Sequence, residues 1–233
     1  MQGALYMPDG RFRSPTAVPG KADVRDDHVY SAIVLAHGGT GQQKLFTNPQ
    51  GQAIPTLKGA AITVAQVHQQ TYTEITTNLT QAGQLGSAVG DASVRAIGIT
   101  IEQAGFSPSG GGLNAWGATQ LEACDIASKV FFQFKIASKV QIQGPVWAFP
   151  AAGMIFGSLS TTTNNATQGL SANGPNGLPR KLKLPILVAR TDTLEGVVGV
   201  AGAASLVFST TTGAGQASLL TVMLFALVKG DVR

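Results

Sequence analysis

The sequence predicts an all-β protein built as an antiparallel β-sandwich. Over Val130–Ile136 every even position is apolar and most odd positions are polar, so one face of a strand is buried and the other is wet. Within the predicted strand Ser93–Gln103, three isoleucines from Ile97 to Ile101 alternate with Gly, Thr and Glu in the same way. The run Ser218–Lys229 is apolar at both parities, which favours a central strand covered on both faces. Turn residues separate these runs, and no stretch shows a clear helical pattern.

The strongest pattern lies in Asp125–Pro150. Ile142 and Val146 continue the apolar parity past Ser138, which predicts one long half-buried strand or two strands joined near Ser138. The pentapeptide Ile-Ala-Ser-Lys-Val starts at residue 126 and again at residue 136, an even offset that would put both copies on one face of a strand. Coincidence in a chain rich in Ala, Ser and Val is the alternative, because repeat architectures need several copies.

The first third of the chain predicts an arm followed by strands. Residues 1–27 contain three prolines among glycines and are expected to form an extended N-terminal arm, with the folded domain at 28–233. Val29–Ala36 and Gln42–Thr47 are strand candidates on either side of a glycine-rich segment, the pattern of a hairpin. Gly59–Leu85 mixes a possible helical face with many threonines, and we favour strands and loops there.

The last third predicts several shorter strands. Lys181–Ala189 contains Pro185, which cannot donate to a ladder, so this strand lies at a sheet edge or contains a bulge. Leu194–Val200 and Ser205–Phe208 are further strand candidates. Eight to ten strands separated by turns fit a sandwich or barrel, and eight major strands with long loops favour a single jelly roll.

The composition predicts assembly. Of the 233 residues 44% are hydrophobic and only 12% are charged, about half the usual charged share for a soluble domain. Such a surface is either covered by partners or wetted by hydroxyls and amides, and we favour burial in a homo-oligomer of many copies. We expect no secretory signal and no transmembrane helix, because polar residues interrupt every long uncharged stretch.

Two uncharged loops are candidate subunit contacts. They are Ser107–Thr119, which holds three consecutive glycines and Trp116, and Ser158–Pro179, which is long enough to indicate a functional or interface role. Trp116 is expected to pack against the sandwich or a neighbouring subunit, with a binding platform as the alternative. The candidate contact residues are Leu113, Asn114, Trp116, Asn164, Asn165 and Asn173.

The formal charge of +4 and the isoelectric point near 9.4 raise the question of a polyanion partner. Residues 1–27 carry as many acidic as basic side chains, so the arm is neutral. The local basic cluster Arg180, Lys181 and Lys183 is the candidate polyanion contact, with a solvated strand end as the alternative reading. Tight phosphate binding recruits more cations than this. We therefore expect weak or indirect contact with nucleic acid.

Catalytic, cofactor and metal sites are not predicted. Gly38–Lys44 lacks the Gly-Lys-Ser/Thr ending of a phosphate loop, and the sequence has no Gly-x-Ser-x-Gly elbow. Cys124 stands alone, and His28, His37 and His68 are too scattered to indicate a zinc site. We expect a protein that is not an enzyme and needs no cofactor.

The whole layout resembles a viral jelly-roll coat protein of the small tailless viruses or bacteriophages. The resemblance rests on the Pro/Gly-rich arm, the series of strands, the long uncharged loops and the final apolar strand. It implies a structural protein of an icosahedral-type capsid, assembled in the host cytoplasm and found in the virion beside other virion proteins. The neutral arm departs from the basic, genome-facing arm of many such proteins, so the shell could instead cover a lipid membrane or leave the genome to other proteins.

Two other functions stay open at this point. One is a subunit of an extracellular fibre or phage tail, which shares the low charge and the tendency to assemble. The other is a carbohydrate-binding β-sandwich that would use Trp116, Trp147 or tyrosines as a sugar platform, although aromatic residues make up only 6% of the chain.

Overall fold

The computed structural model describes residues 24–57, 59, 71–85, 89–103, 120–150, 155–156, 171–172, 179–207 and 217–230. These residues form eleven strands, one α-helix and one 3-10 turn. The elements are β1 (Val24–Ala36), β2 (Gln42–Leu45), β3 (Thr56–Leu57), β4 (Val89–Gln103), α1 (Gln120–Lys129), β5 (Val130–Ile136), β6 (Lys139–Pro145), the 3-10 turn (Val146–Ala148), β7 (Ile155–Phe156), β8 (Ser171–Ala172), β9 (Arg180–Val188), β10 (Leu194–Val200) and β11 (Ala217–Gly230).

The strands form two main sheets. Sheet A has the order β3–β1–β11–β4–β9, and sheet B has the order β2–β10–β5–β6. Neighbouring strands are antiparallel except β3, which runs parallel to β1, and β7 and β8 form a separate short ladder. Both sheets contribute to one apolar core, so the predicted all-β sandwich is confirmed.

Aromatic side chains fill the space between the sheets. The rings of Phe132 and Phe149 meet edge to face with centroids 5.4 Å apart, and those of Phe46 and Phe134 at 6.4 Å. Phe132 and Phe134 come from even positions of β5, where burial alternates residue by residue along the whole strand. The alternation that predicted this strand therefore identifies the face that is buried in the core.

The other two strong strand predictions are also confirmed. In β4, Ile97, Ile99 and Ile101 all point into the core. β11 lies between β1 and β4, the central place predicted from its apolar residues at both parities. β1 begins at Val24, so the last four residues of the predicted arm are paired with β11 in sheet A.

The predicted hairpin between the first two strands is wrong. β1 pairs with β11 in sheet A, whereas β2 pairs with β10 in sheet B. The glycines between them form a corner that crosses from one sheet to the other. Gly38 has a φ of +73°, and a Cβ on Gly39 would lie 2.8 Å from the Leu57 carbonyl oxygen. The glycines therefore allow close backbone approach at the corner.

The strand predicted from Asp125 onward is wrong in its first residues, which belong to the helix α1. This helix holds most of the first copy of the repeated pentapeptide. Ile126 of that copy is fully buried, and Lys129 forms an ion pair with Asp125 at 2.5 Å one turn earlier. Lys129 Nζ also donates to the Ser205 carbonyl at 3.0 Å, and Asp125 accepts from the Val207 N–H at 2.9 Å. These side chains of α1 bind the backbone of residues 205–207. The sequence predicted a strand over Ser205–Phe208, but residues 205–207 do not form one.

The second copy of the pentapeptide has a different structure. It contains Ala137 and Ser138, whose φ angles of +46° and +69° form the two-residue turn between β5 and β6. The prediction of two strands joined near Ser138 is confirmed, but the two copies do not share a strand face. The first four residues of the pentapeptide are helical in one copy, whereas its second and third residues form a tight turn between two strands in the other.

The free edge of β1 is covered by side chains of the segment 71–85. Asn78 donates to the His28 carbonyl at 2.6 Å and accepts from the Tyr30 N–H at 3.0 Å, and Thr77 donates to the Tyr30 carbonyl at 2.9 Å. These bonds replace those of a neighbouring strand. Bridges and turns make up the described part of this segment, in agreement with the preference for strands and loops.

On the outer face of β1, Tyr72 is buried in a second, smaller apolar cluster. Its hydroxyl donates to the Ala32 carbonyl at 2.5 Å and lies 3.1 Å from Ser31 Oγ. Burial raises the pKa of Tyr72 to about 12, against a smaller lowering by the Ser31 hydrogen bond. The phenol is therefore neutral and can donate to the backbone of β1 at ordinary pH.

An ion-pair triad ties three strands of sheet B together. Glu195 of β10 accepts from Lys44 of β2 at 2.8 Å and from Lys135 of β5 at 3.4 Å. The hydrogen bond and charge of Lys44, with those of Lys135, hold the pKa of Glu195 below its ordinary value. The triad therefore stabilises the sheet only while Glu195 is ionised.

We expect the double substitution A137N/S138G to raise the free energy of unfolding by about 1 kcal/mol, because Asn and Gly adopt positive φ more readily than Ala and Ser. The matched control makes the same change in the first pentapeptide copy. A127N/S128G lies in α1 and should lower the free energy of unfolding by about 1 kcal/mol or more. Urea denaturation measures both, and effects of equal sign would contradict this account of the two copies.

We expect Glu195→Gln to lower the free energy of unfolding by about 0.5–1 kcal/mol at pH 7. Since the folded-state pKa of Glu195 lies below the ordinary value of 4.5, its contribution is present above that value and is lost as the pH falls through the folded-state pKa. The difference between the native protein and the variant should therefore shrink in denaturation curves at pH 3. The exposed Glu74→Gln is the control, and a pH-independent difference would rule out the triad as the cause.

We expect Asn78→Ala to lower the free energy of unfolding by about 1 kcal/mol and to speed hydrogen exchange of the Tyr30 amide, because both bonds to the β1 edge are lost. Asn78→Asp is the matched control, since its carboxylate still accepts from the Tyr30 N–H but has no donor for the His28 carbonyl. The Tyr30 amide should stay protected in that variant. Equal exchange rates in both variants would show that another group protects this edge.

Candidate interaction surfaces

The six predicted loop contacts Leu113, Asn114, Trp116, Asn164, Asn165 and Asn173 lie outside the described residues. Their role stays a prediction. The described residues contain other candidates for subunit contact, which lie along the two opposite edges of sheet A.

β9 is the last strand of sheet A on one side, and it contains a large bulge. Val94 of β4 pairs with Ile186, but Ala96 pairs with Lys181, so four residues of β9 stand opposite one residue of β4. Pro185 lies in this bulge, where its missing N–H leaves no gap in the ladder. The prediction of an edge strand or a bulge from Pro185 is confirmed on both counts.

The bulge and the strand end present large apolar side chains to the outside. Leu184 is 81% exposed and Leu187 is 74% exposed. Leu184 shares a parity with the half-buried Leu182, and the two would share a face of a regular strand, but the bulge removes Leu184 from the sheet. Leucines this exposed on a sheet edge are a liability unless a partner covers them.

The three residues of the predicted polyanion contact lie on β9 and are all exposed. Arg180 is partly engaged, because its guanidinium lies 5.2 Å from the centre of the Phe149 ring and Nη1 donates to the Ala148 carbonyl at 3.4 Å. Lys181 and Lys183 are the more accessible cations. Their contact with a polyanion stays a prediction.

Sheet B adds an aromatic residue on the same side. Trp147 in the 3-10 turn after β6 is 68% exposed, and Phe149 beside it packs under Arg180 at the start of β9. The Phe149 carbonyl also accepts from the Ile99 N–H of β4 at 3.0 Å, which fixes this turn against sheet A. We call Trp147 and the exposed β9 residues Lys181, Lys183, Leu184 and Leu187 together the β9 side.

The opposite edge of sheet A carries acidic groups. Asp26 on β1 and Glu74 in the turn beside it are both exposed, and Ile75 next to Glu74 is 78% exposed. The Tyr30 hydroxyl donates to the Glu74 backbone carbonyl and holds this turn against β1. Burial, and then the nearby Glu74 charge, raise the pKa of Tyr30. We call the surface formed by Asp26, Glu74 and Ile75 the β1 side.

Sequence reasoning did not single out Leu184, Leu187, Glu74 and Ile75 as contact residues. Pro185 within a leucine-rich run was the signal for the first two, since a bulge at a proline displaces its neighbours from the apolar face. Glu74 and Ile75 lie in a threonine-rich stretch with no clear periodicity, and nothing in it indicates that it lines β1.

Within the described ranges, no three His, Cys, Asp or Glu side chains come together in a way that could hold a metal ion. None of the helices in those ranges is long and apolar enough to cross a membrane. Comparisons with protein-family models, with curated proteins and with solved structures found no match.

Proposed function

We propose that this chain is a structural coat protein with a single jelly-roll domain, which assembles in many copies into a closed, icosahedral-type shell. The strand order carries the proposal. When the short strands β3, β7 and β8 are left out, the eight main strands can be numbered 1 to 8 along the chain. Sheet A then has the order 1-8-3-6, and sheet B has the order 2-7-4-5. The antiparallel pairs 1–8, 2–7, 3–6 and 4–5 are those of one long hairpin rolled into two sheets, as in jelly rolls, which are common in viral capsids.

The surface supports assembly over a solitary subunit. Charged residues make up 12% of the chain, and large apolar residues stand exposed on both edges of sheet A. Exposed apolar patches on a folded domain mark interaction sites. A shell subunit needs several such contacts, whereas a sugar-binding domain needs one platform.

Trp147 favours the carbohydrate-binding alternative, because jelly rolls also occur in lectins and its ring is exposed. The residues that follow it, Ala148 and Phe149, contact the exposed Arg180 of β9, however, and a mixed aromatic and charged surface of this kind is typical of protein contacts. The same exposed apolar surface fits a fibre or tail subunit, and the shape of the assembly separates that alternative from a shell protein.

Size-exclusion chromatography with light scattering and negative-stain microscopy of the purified protein tests the proposal. We expect closed shells or symmetric capsomer-sized rings that grow with protein concentration. Asn114→Glu and Asn165→Glu should each reduce assembly without changing the unfolding curve, because a buried unpaired charge is costly at an interface. Thr191→Glu, at an exposed turn position, is the control.

Each other outcome has a defined meaning. Filaments would replace the shell with a fibre or tail subunit. A monomer at all concentrations would reject assembly, and glycan binding that is lost in Trp147→Ala would then support the sugar-binding alternative. Normal assembly of both loop variants would reject the two loops as contacts while leaving the shell itself in place.

A further inference from the structure

We propose that the β9 side of one subunit docks onto the β1 side of the next, so that copies of this chain associate head to tail through the two edges of sheet A. The proposal rests on the proposed function, since it names the contact by which a shell subunit would join its neighbours. The partner it commits to is a second copy of this chain. Two observations carry it, the opposite charge of the two edges and the exposed apolar residues on both.

One charge on each edge, Lys181 on β9 and Asp26 on β1, lies at a similar height along the strands. Lys181 pairs with Ala96, Ala96 with Phe225, and Phe225 with His28. This row puts Lys181 level with His28, two residues along β1 from Asp26. At about 3.4 Å per residue the offset is under about 7 Å. Two subunits set side by side would therefore bring lysine and carboxylate together with little displacement along the strands.

The same charges are too far apart to pair within one subunit. From Lys181 on β9 to His28 on β1 there are three steps from strand to strand. At about 4.8 Å per step, the distance between the two positions is about 14 Å. This exceeds the screening length of about 8 Å at physiological ionic strength. Attraction between the two edges therefore acts mainly between subunits, where the groups can come into contact.

Apolar side chains accompany the charges on both edges. Ile75, 78% exposed, follows Glu74 on the β1 side, and Leu184 and Leu187, 81% and 74% exposed, lie on the same strand as the lysines on the β9 side. A contact that buries these three side chains and pairs the surrounding charges has the apolar centre and polar rim of a protein interface.

The covered edge of β1 determines the kind of contact. Asn78 and Thr77 already occupy the backbone groups of His28 and Tyr30, and β3 pairs with Val34 and Leu35. A neighbouring strand therefore cannot add along most of β1, and the contact must run through side chains. Because it joins two different surfaces, it is heterologous and leaves an unused edge at each end until a ring closes.

Charge exchange tests this contact. K181E/K183E makes the β9 side acidic and D26K/E74K makes the β1 side basic, so each variant places like charges together and should lose assembly. The four changes combined in one chain restore opposite charges and should restore assembly. The neutral variants K181Q/K183Q and D26N/E74Q separate loss of charge from repulsion, and they should assemble less than the native protein but more than the charge-reversed variants.

Carbodiimide coupling of the native protein gives a second measurement that does not depend on any variant folding. The reagent joins a lysine amine directly to a carboxylate, so a linked peptide pair containing Lys181 or Lys183 and Asp26 or Glu74 requires contact between subunits. Oligomer ladders beyond the dimer are expected, because a head-to-tail contact repeats.

The outcomes separate this inference from the proposed function. A shell that forms in the native protein without rescue in the combined variant, and without these linked peptides, overturns the edge contact alone. Filaments with rescue keep the edge contact and overturn the closed shell, and a native monomer overturns both. A last outcome is that every variant carrying K181E/K183E, including the combined one, loses both its bound nucleic acid and its assembly. That result would show that the lysines bind a polyanion, and it would overturn the inference.

Discussion

The ladder between β1 and β11 is the interaction on which the rest of the fold depends. It joins Val24–Ala36 to residues 217–229 through thirteen consecutive pairs, so the two ends of the domain lie side by side. β11 then supports β4 on its other side, and β4 supports β9. Such distant pairings have a high entropic cost of closure, which the apolar core and the long ladder must offset. The edges that carry the proposed contacts exist only because this central pairing holds them apart.

Periodicity predicted which faces of the strands are buried, but not their partners. Val130–Ile136 and Ile97–Ile101 were readable because one parity is apolar and tertiary packing follows it. The supposed hairpin of the first two strands failed because a glycine-rich connection suits a reversal and a corner between sheets equally well. The repeated pentapeptide also shows that local sequence does not fix the partners. Contacts with Asp125, Ser205 and Val207 stabilise one copy as the end of a helix. The other copy forms a turn because two strands reverse there.

The interaction surfaces were less accessible to sequence reasoning. Pro185 correctly indicated an irregular edge strand, yet the exposure of Leu184 follows from the size of the bulge, which depends on the register of β9 against β4. The match between Lys181 and the acidic edge depends on a row across four strands, which no local pattern records. The net charge does not reveal this arrangement either, because the opposite charges on the two edges of sheet A largely cancel when all charges are added.

The closeness of Val24 and Lys229 in the first ladder has a consequence for the connectivity of the chain. Because the two ends of the sandwich are adjacent, the strands could be joined in a different order along the chain while each kept the same partners in the sheets. A short linker between these ends, with a new opening at the exposed turn Ala137–Ser138, would preserve the pairs of both main sheets. In such a permuted chain β6 would come first and β5 last, and the β1–β11 ladder would become a local hairpin.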